Sequence, residues 1–301
     1  MDKAVRTEGL VKRFGRETAL DGVDLAVPQG AVFLLSGTNG AGKSSLLRTL
    51  LNLDAPDRGS ATVLGLDTWT KGAEIRARTG YVPETGGSGY RWMRAGHFLA
   101  HYARFYSSWD AQYAEQLVRT LDVRLDRRMG ALSKGQARRV QIVAALAHRP
   151  ALLLLDELTD GLDPLARDEV LSLLAAYFAD TGCTAILSTH LVGEVETLID
   201  HIGVLRAGKL VAQAPTERLF AGLQRYHLDA PEGWTPPEAL APFALRYELG
   251  PGRSAKMVAA GDEAAIASAI QASGAQLREV SRLSLAEAVP HLLRSEKTHA
   301  F

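Results

Sequence analysis

One eight-residue run constrains this chain more than any other feature. Gly37-Thr38-Asn39-Gly40-Ala41-Gly42-Lys43-Ser44 has the form G-x-x-x-x-G-K-S, and it lies between an apolar run, Ala31 to Ser36, and a helical pattern, Ser44 to Leu53. A strand that feeds a glycine-rich turn opening a helix leaves backbone N–H groups without intrahelical partners. The glycines let those groups turn inward around phosphate oxygens, and the helix adds the positive end of its dipole. Lys43 then reaches the β- and γ-phosphates as a point charge, and the Ser44 hydroxyl is a ligand for Mg²⁺. The run therefore demands a strand–turn–helix frame.

The rest of the first 220 residues agrees with that frame. Ala151 to Leu155 and Thr184 to Ser188 read as further buried strands, and Gly80 to Pro83 as a strand end. Each buried strand precedes a helical pattern, which predicts an α/β fold with a mostly parallel core sheet. From Gly96 to Leu121 the composition is helical with no strand signal. After about Ala221 the texture changes: Pro231, Pro236, Pro237 and Pro242 cluster as a loop or linker. Beyond them Leu245–Leu249 and Lys256–Ala259 read as strands, and Glu263–Ala272 and Leu285–Leu293 as helices. The expected division is a domain over 1–220 and a small accessory α+β region over 221–301.

Composition excludes several classes. With 47% hydrophobic and 23% charged residues the chain has ample material for a core and is neither disordered nor collagen-like. Basic and acidic residues number 34 each, so the formal net charge is zero and no nucleic-acid partner is expected. The single cysteine, Cys183, fits a reducing compartment. The opening MDKAVRTEGLVKRFG lacks an apolar signal region, and no run approaches the length of a membrane helix, so the expectation is a soluble, cytoplasmic chain.

The second strand ends in Asp156-Glu157. Beside a phosphate loop, the first acid is placed to hold Mg²⁺ through water and the second to orient or deprotonate an attacking water. Between loop and acids lies Leu132-Ser133-Lys134-Gly135-Gln136, which looks like the L-S-G-G-Q signature of ATP-binding cassette (ABC) ATPases. Gly161-Leu162-Asp163-Pro164 follows the acids, and His190 closes Ser188-Thr189-His190 at the end of the next strand. This order of motifs, over about residues 3 to 220, resembles a single ABC nucleotide-binding domain, a P-loop NTPase. Ala103-Arg104-Phe105-Tyr106-Ser107-Ser108-Trp109-Asp110 resembles the F-Y-x-x-W-D run of bacterial ABC-2-type exporter ATPases.

The resemblance implies more than the residues alone do. It implies an antiparallel N-terminal β subdomain and a helical insertion at about 85–132. It implies ATP and Mg²⁺ as ligands, with two ATP molecules sandwiched in a head-to-tail dimer of ATP-binding subunits, here expected to be a homodimer. Gly37 to Ser44 and Ser45 would bind ATP, and Phe14 would stack on adenine. Ser133, Gly135 and Gln136 would contact the γ-phosphate bound across the interface, where Ser133 as a helix N-cap gives a physical reason for anion attraction. Glu157 would be the catalytic base, His190 the γ-phosphate contact, and Asp163 an interface residue. Ser44, Asp156 and Glu84 would serve the metal.

Four positions depart from the family pattern. Thr38 replaces a proline whose side chain is not a ligand. Lys134 replaces the first signature glycine and adds a positive charge near the interface. Leu158 and Asp160 replace the usual proline and serine, with local effects expected. Glu84, in Gly80-Tyr81-Val82-Pro83-Glu84, stands where the family offers a neutral glutamine to Mg²⁺ and the attacking water. It is assigned as a catalytic and metal residue whose charge would slow closure or hydrolysis.

The leading reading is the ATPase subunit of an ABC-2-type exporter with a separate membrane permease, peripheral on the cytoplasmic face. Residues 85 to 92 are the candidate coupling contact. Two other readings stay open at this point: a soluble ABC ATPase unconnected with transport, and an ATP-binding regulatory module with little turnover.

Overall fold

The computed structural model describes residues 2–85, 88–294 and 299–300; of the candidate contact at 85–92, residues 86 and 87 lie outside the described residues. The sequence's three continuous apolar runs become three fully buried strands, Val32–Gly37, Leu152–Asp156 and Thr184–Thr189. Strands buried on both faces belong in a parallel sheet covered on both sides. They sit at the centre of a seven-stranded sheet whose order is His299–Ala300, Lys209–Pro215, His201–Arg206, Val32–Gly37, Thr184–Thr189, Leu152–Asp156 and Thr79–Val82. Neighbours run parallel except for the hairpin of His201–Arg206 with Lys209–Pro215.

Register is what builds the site. Ser36 pairs with Thr189, and Asp156 with Ser188, so the phosphate loop, the two acids and His190 all leave the sheet at one edge. That edge is the carboxyl end of parallel strands, where ligands bind in open α/β sheets.

Strands Lys3–Phe14, Glu17–Val23, Ala26–Pro28, Arg58–Val63 and Leu66–Asp67 form a separate antiparallel sheet, the N-terminal layer implied by the resemblance. Its inner face, with Leu10, Leu20 and Val63, shares a core with Leu46 and Leu47 of the helix Lys43–Leu50 and with Phe33 and Leu35. The helical insertion is broken where a continuous Gly96–Leu121 pattern was expected. Ala95–Ala103 ends before a short turn, and Ala111–Thr120 restarts with Asp110 as its cap, whose side chain accepts from Tyr113 N at 2.8 Å. The interruption is held from the core: Tyr106 stacks on His148 with ring centroids 3.9 Å apart, and the Ser108 hydroxyl donates to the His148 carbonyl. Arg149 pairs with Asp110 and lies 3.5 Å from the Tyr113 ring centroid.

Beyond residue 222 a four-stranded antiparallel sheet has the order Ala244–Leu249, Ser254–Ala260, Leu223–Asp229, Gln276–Arg282. The first and last strands of that segment, Leu223–Asp229 and Gln276–Arg282, were not expected. Leu223–Asp229 does carry a short alternation, Tyr226 and Leu228 buried between Arg225, His227 and Asp229, but Gln224 breaks it after Leu223. In Gln276–Arg282 the apolar Leu277 and Val280 are three residues apart, so no two-residue period marks it. Helix Glu263–Ala272 covers one face of this sheet through Ile266 and Ile270. The next helix, Leu285–Arg294, leaves this layer and buries Leu285, Ala288, Val289 and Leu292 in the main core with Val192 and Val195.

Candidate nucleotide site

At the strand end the chain has no room for side chains. A Cβ on Gly37 would lie 2.4 Å from the Leu205 carbonyl oxygen, and one on Gly42 would lie 2.3 Å from that of Ala19. Gly42 also carries a φ of 105°, a left-handed conformation that L side chains avoid, and it caps helix Lys43–Leu50 without any side-chain hydrogen bond. The first N–H groups of that helix therefore face the loop with nothing of the chain's own to cap them, the arrangement that attracts an anion.

Lys43 is only 6% exposed. Its ammonium donates to the Gly37 carbonyl at 3.0 Å and the Thr38 carbonyl at 3.4 Å, and lies 3.3 Å from Glu157 Oε1. The other oxygen of Glu157 meets His190 Nδ1 at 3.0 Å. One carboxylate thus joins the phosphate-loop cation to the histidine. Its backbone is unusual as well: Glu157 has a φ of 47°, and its N–H donates to the Ser188 carbonyl at 2.8 Å. That turn brings the side chain away from its own strand and into the cleft. Backbone strain of this kind in a non-glycine residue is concentrated at functional sites.

Asp156 is buried at the strand end and accepts from the Ser188 hydroxyl at 2.6 Å. Ser188 is a contributor that the sequence reading passed over; its pairing register with Asp156 is the only signal that identifies it. A cleft of about 380 Å³ runs from Phe14, Glu17 and Ala19 along Asn39 to Ser45 and reaches Glu84 and Glu157. Phe14 is 48% exposed at the end of its strand, with the Lys12 ammonium 5.0 Å from its ring centroid. It therefore offers a face to the cleft instead of packing in the core. Gly37, Thr38 and His190 line an adjacent groove.

Among the described residues no group of three or more His, Cys, Asp or Glu side chains is arranged to hold a metal. The Ser44 hydroxyl and the Glu84 carboxylate line the cleft, and Asp156 lies buried at the strand end behind it; these oxygen donors suit a hard cation that takes few protein ligands and completes its shell with phosphate oxygens and water. The residues present fit Mg²⁺ carried in with a nucleotide.

The signature lies elsewhere. Ser133 caps helix Lys134–Leu146 in a reciprocal capping box: its hydroxyl accepts from Gln136 N at 3.2 Å, and its own N–H donates to Gln136 Oε1 at 3.1 Å. Gly135 packs on the Gly161 carbonyl, where a Cβ would come within 2.9 Å. Asp163 caps helix Pro164–Thr181, accepting from Ala166 N at 2.9 Å. Ser133, Gly135, Gln136 and Asp163 are all absent from the residues lining the phosphate-loop cleft. Ser133 lines a second cleft instead, with Arg91, Met129 and Arg138, and Glu84 borders both.

Two departures from the family pattern meet each other. Lys134 pairs with Asp160 at 2.5 Å, its stem lying against Gly161. The positive charge of Lys134 is therefore countered within the chain by Asp160.

Arg138 is a second residue that the sequence reading missed. It is 2% exposed, and its guanidinium donates to the carbonyls of Pro83, Glu84 and Glu157. It ties the signature helix to the Glu84 loop and to the turn that carries the second acid. Burial pushes its pKa down, opposed by Asp160, Asp156, Glu84 and Glu157. The sequence signal is a charged residue at the same helical phase as Gln141, Ile142 and Ala145, which are all buried.

Comparisons with known proteins follow the same line. The family model described as ABC transporter matches residues 20–160. The chain is 34% identical over 238 residues to a daunorubicin/doxorubicin resistance ATP-binding protein of Streptomyces peucetius, covering 73% of this chain and 68% of that one. It is 34% identical over 222 residues to a Nod factor export ATP-binding protein I of a Rhizobium species, covering 72% of each. Among solved structures, the ATP-binding subunit of an ABC transporter superposes with a TM-score of 0.65 at 27% identity, covering 72% of this chain and 91% of that one.

Proposed function

Because the chain belongs to the ATP-binding subunits of ABC transporters, we propose that it hydrolyses ATP to power an exporter whose membrane route lies in a separate permease. Among the described residues no helix is long and apolar enough to cross a membrane, which supports a second chain for that route. The relatives named for drug resistance and for Nod factor export support outward transport. The working position is the cytoplasmic face of the membrane.

The observation that carries the mechanism is the line Lys43–Glu157–His190 at the carboxyl edge of the sheet, with the signature outside that cleft. The glycine loop and the start of helix Lys43–Leu50 bind the phosphates, and Phe14 stacks on the base. Lys43 exchanges its present carbonyl and carboxylate partners for β- and γ-phosphate oxygens. Glu157, released from that ion pair, accepts the proton of the attacking water as its oxygen bonds to the γ-phosphorus and the bond to the ADP oxygen breaks. His190, held by the same carboxylate, donates to a γ-phosphate oxygen. Ser44, Asp156 and Glu84 would be the protein side of a bound Mg²⁺, which would supply neutralisation of the phosphate charge.

A second copy supplies what one chain leaves apart. The capped helix start at Ser133, with Gly135 and Gln136, closes on the γ-phosphate of the partner, and Asp163 lies along the same seam. The separation of these groups from the phosphate-loop cleft of their own chain supports a head-to-tail homodimer as the working unit. The permease contact is assigned to the 85–92 stretch and to the groove of about 380 Å³ that Tyr90 of that stretch lines with Arg76, Tyr102, Phe105 and Tyr106.

Replacing Glu157 with Gln keeps the shape and removes the base; steady-state turnover of the purified chain falls at least about 100-fold while ATP remains bound. Unchanged turnover would refute the assignment of Glu157. Purification of the tagged chain from solubilised membranes yields a stoichiometric polytopic protein. Its recovery only from the soluble fraction would remove the exporter reading and leave the ATPase.

A further inference from the structure

We infer that the helix Leu285–Arg294, at the far end of the chain, is a positioning element for His190 that ties the accessory sheet to the catalytic edge. The inference rests on the reading above, in which His190 contacts the γ-phosphate.

His190 follows the core strand Thr184–Thr189, and the chain from there to the next strand, His201–Arg206, has no sheet partner. Only two short turns follow, Val192–Val195 and Glu196–Leu198. Helical turns of this length do not hold themselves in water, so their position is set by what packs on them. On one side Arg167 pairs with Glu194 at 2.6 Å. The other side is supplied by the helix Leu285–Arg294. Its Leu285, Ala288, Val289 and Leu292 are buried in one cluster with Val192 and Val195. A Cβ built on Gly193 would sit 3.5 Å from the Ala286 Cβ, so Gly193 faces Ala286 across a gap that one added methyl would fill. The Leu285 N–H donates to Glu196 Oε1 at 2.8 Å. That bond uses a first-turn donor that has no intrahelical partner.

The same helix reaches the phosphate loop. Val289, Pro290 and Leu293 share a groove of about 440 Å³ with Gly37, Thr38 and His190. The start of the helix is specified locally: the Ser284 hydroxyl accepts from Glu287 N at 3.2 Å, and Ser284 N donates to Glu287 Oε2 at 3.0 Å. Glu287 also pairs with Arg225 at 2.9 Å, on the strand Leu223–Asp229 of the accessory sheet. At the other end Arg206, from the core strand beside the phosphate-loop strand, donates to the Leu293 carbonyl at 3.2 Å. The helix is thus held by both layers, and it presses on the segment that aims His190. Glu196 is the hinge of that contact and a positioning residue.

The test measures kcat, KM for MgATP and melting temperature in the full chain for Glu196→Ala, Glu196→Gln, Val289→Ala and His190→Ala. Glutamine keeps the acceptor oxygen facing Leu285 N. Loss of the hydrogen bond in Glu196→Ala lowers kcat about 5–10-fold with KM within twofold, and Glu196→Gln restores it. Val289→Ala, which loosens the same packing, lowers kcat in the same direction. His190→Ala abolishes turnover. Parent-like kcat in both Glu196→Ala and Val289→Ala, with His190→Ala inactive, overturns the inference and leaves the reading of His190 intact. Equal loss in Glu196→Ala and Glu196→Gln, tracking a fall in melting temperature, also overturns it, because the role is then structural alone. Turnover retained in His190→Ala overturns the reading on which the inference stands.

Discussion

Replacing Arg138 with methionine tests whether the signature helix is held to the Glu157 turn by one guanidinium. Arg138 donates to the carbonyls of Pro83, Glu84 and Glu157, the last two at 3.0 and 3.4 Å, from a site that is 2% exposed. Hydrogen bonds from a charged group contribute about 1.5–3 kcal/mol each, so the two shorter ones together account for about 3–6 kcal/mol. Methionine relieves the cost of burying the charge, which returns part of that sum and leaves a net loss of about 2–4 kcal/mol. At about 2–4 °C per kcal/mol for a domain of this size, the melting temperature of the full chain falls by about 5–15 °C. Lysine in the same place keeps the charge but cannot reach the Pro83 and Glu84 carbonyls together, because a single ammonium replaces a planar fork; it recovers less than half of the loss. Hydrolysis falls in both variants, since Glu84 and the Glu157 turn share this anchor. Thermal melting with and without ATP, beside steady-state turnover, reads both effects. A methionine variant that melts within about 2 °C of the parent and hydrolyses ATP normally would refute the reasoning.

Gly42→Ala places a Cβ against the Ala19 carbonyl at a φ that L residues avoid, so it costs more than about 2 kcal/mol and abolishes ATP binding; equilibrium unfolding and nucleotide titration read the two effects, and a stable ATP-binding variant contradicts this account of the loop. Burial holds the His148 pKa down at about 4. The unfolded chain, with a histidine near about 6.5, therefore takes up a proton that the folded chain refuses, and stability is lost as pH falls from about 6.5 to about 4. Between pH 7 and 5 the parent loses about 2 kcal/mol more than His148→Phe, which keeps a ring against Tyr106 and has nothing to protonate; parallel stability curves for the two would show that His148 is not the source.

Much of the site was legible in the sequence because its parts are local. The phosphate loop, the acids after an apolar strand and the Ser133 cap each depend on residues a few positions apart, where backbone geometry follows from glycine, strand burial and capping. The fold class followed from the same runs, and the antiparallel N-terminal layer and helical insertion came with the resemblance. The accessory sheet was half legible: Ser254–Ala260 carries an apolar run and Ala244–Leu249 a shorter apolar start, whereas Gln276–Arg282 is largely exposed and Leu223–Asp229, though it buries Leu223, Tyr226 and Leu228, sets Gln224, Arg225 and His227 between them. Arg138 and the pairing of Lys134 with Asp160 were out of reach, since a guanidinium on carbonyls 54 and 55 positions away and an ion pair spanning 26 leave no period in the chain.

What the amino-acid sequence determined by itself is the set of groups available at one sheet edge: the glycine-rich loop with Lys43, the two acids after the next apolar strand, and the histidine after the third. The tertiary structure decided their relations. Strand register set Asp156 beside Ser188, and a left-handed turn at Glu157 put its carboxylate between Lys43 and His190. Long-range packing returned the last helix to the segment after His190. Those relations depend on which surfaces bury each other between segments far apart in the chain, and burial of that kind is non-directional until the whole core is assembled.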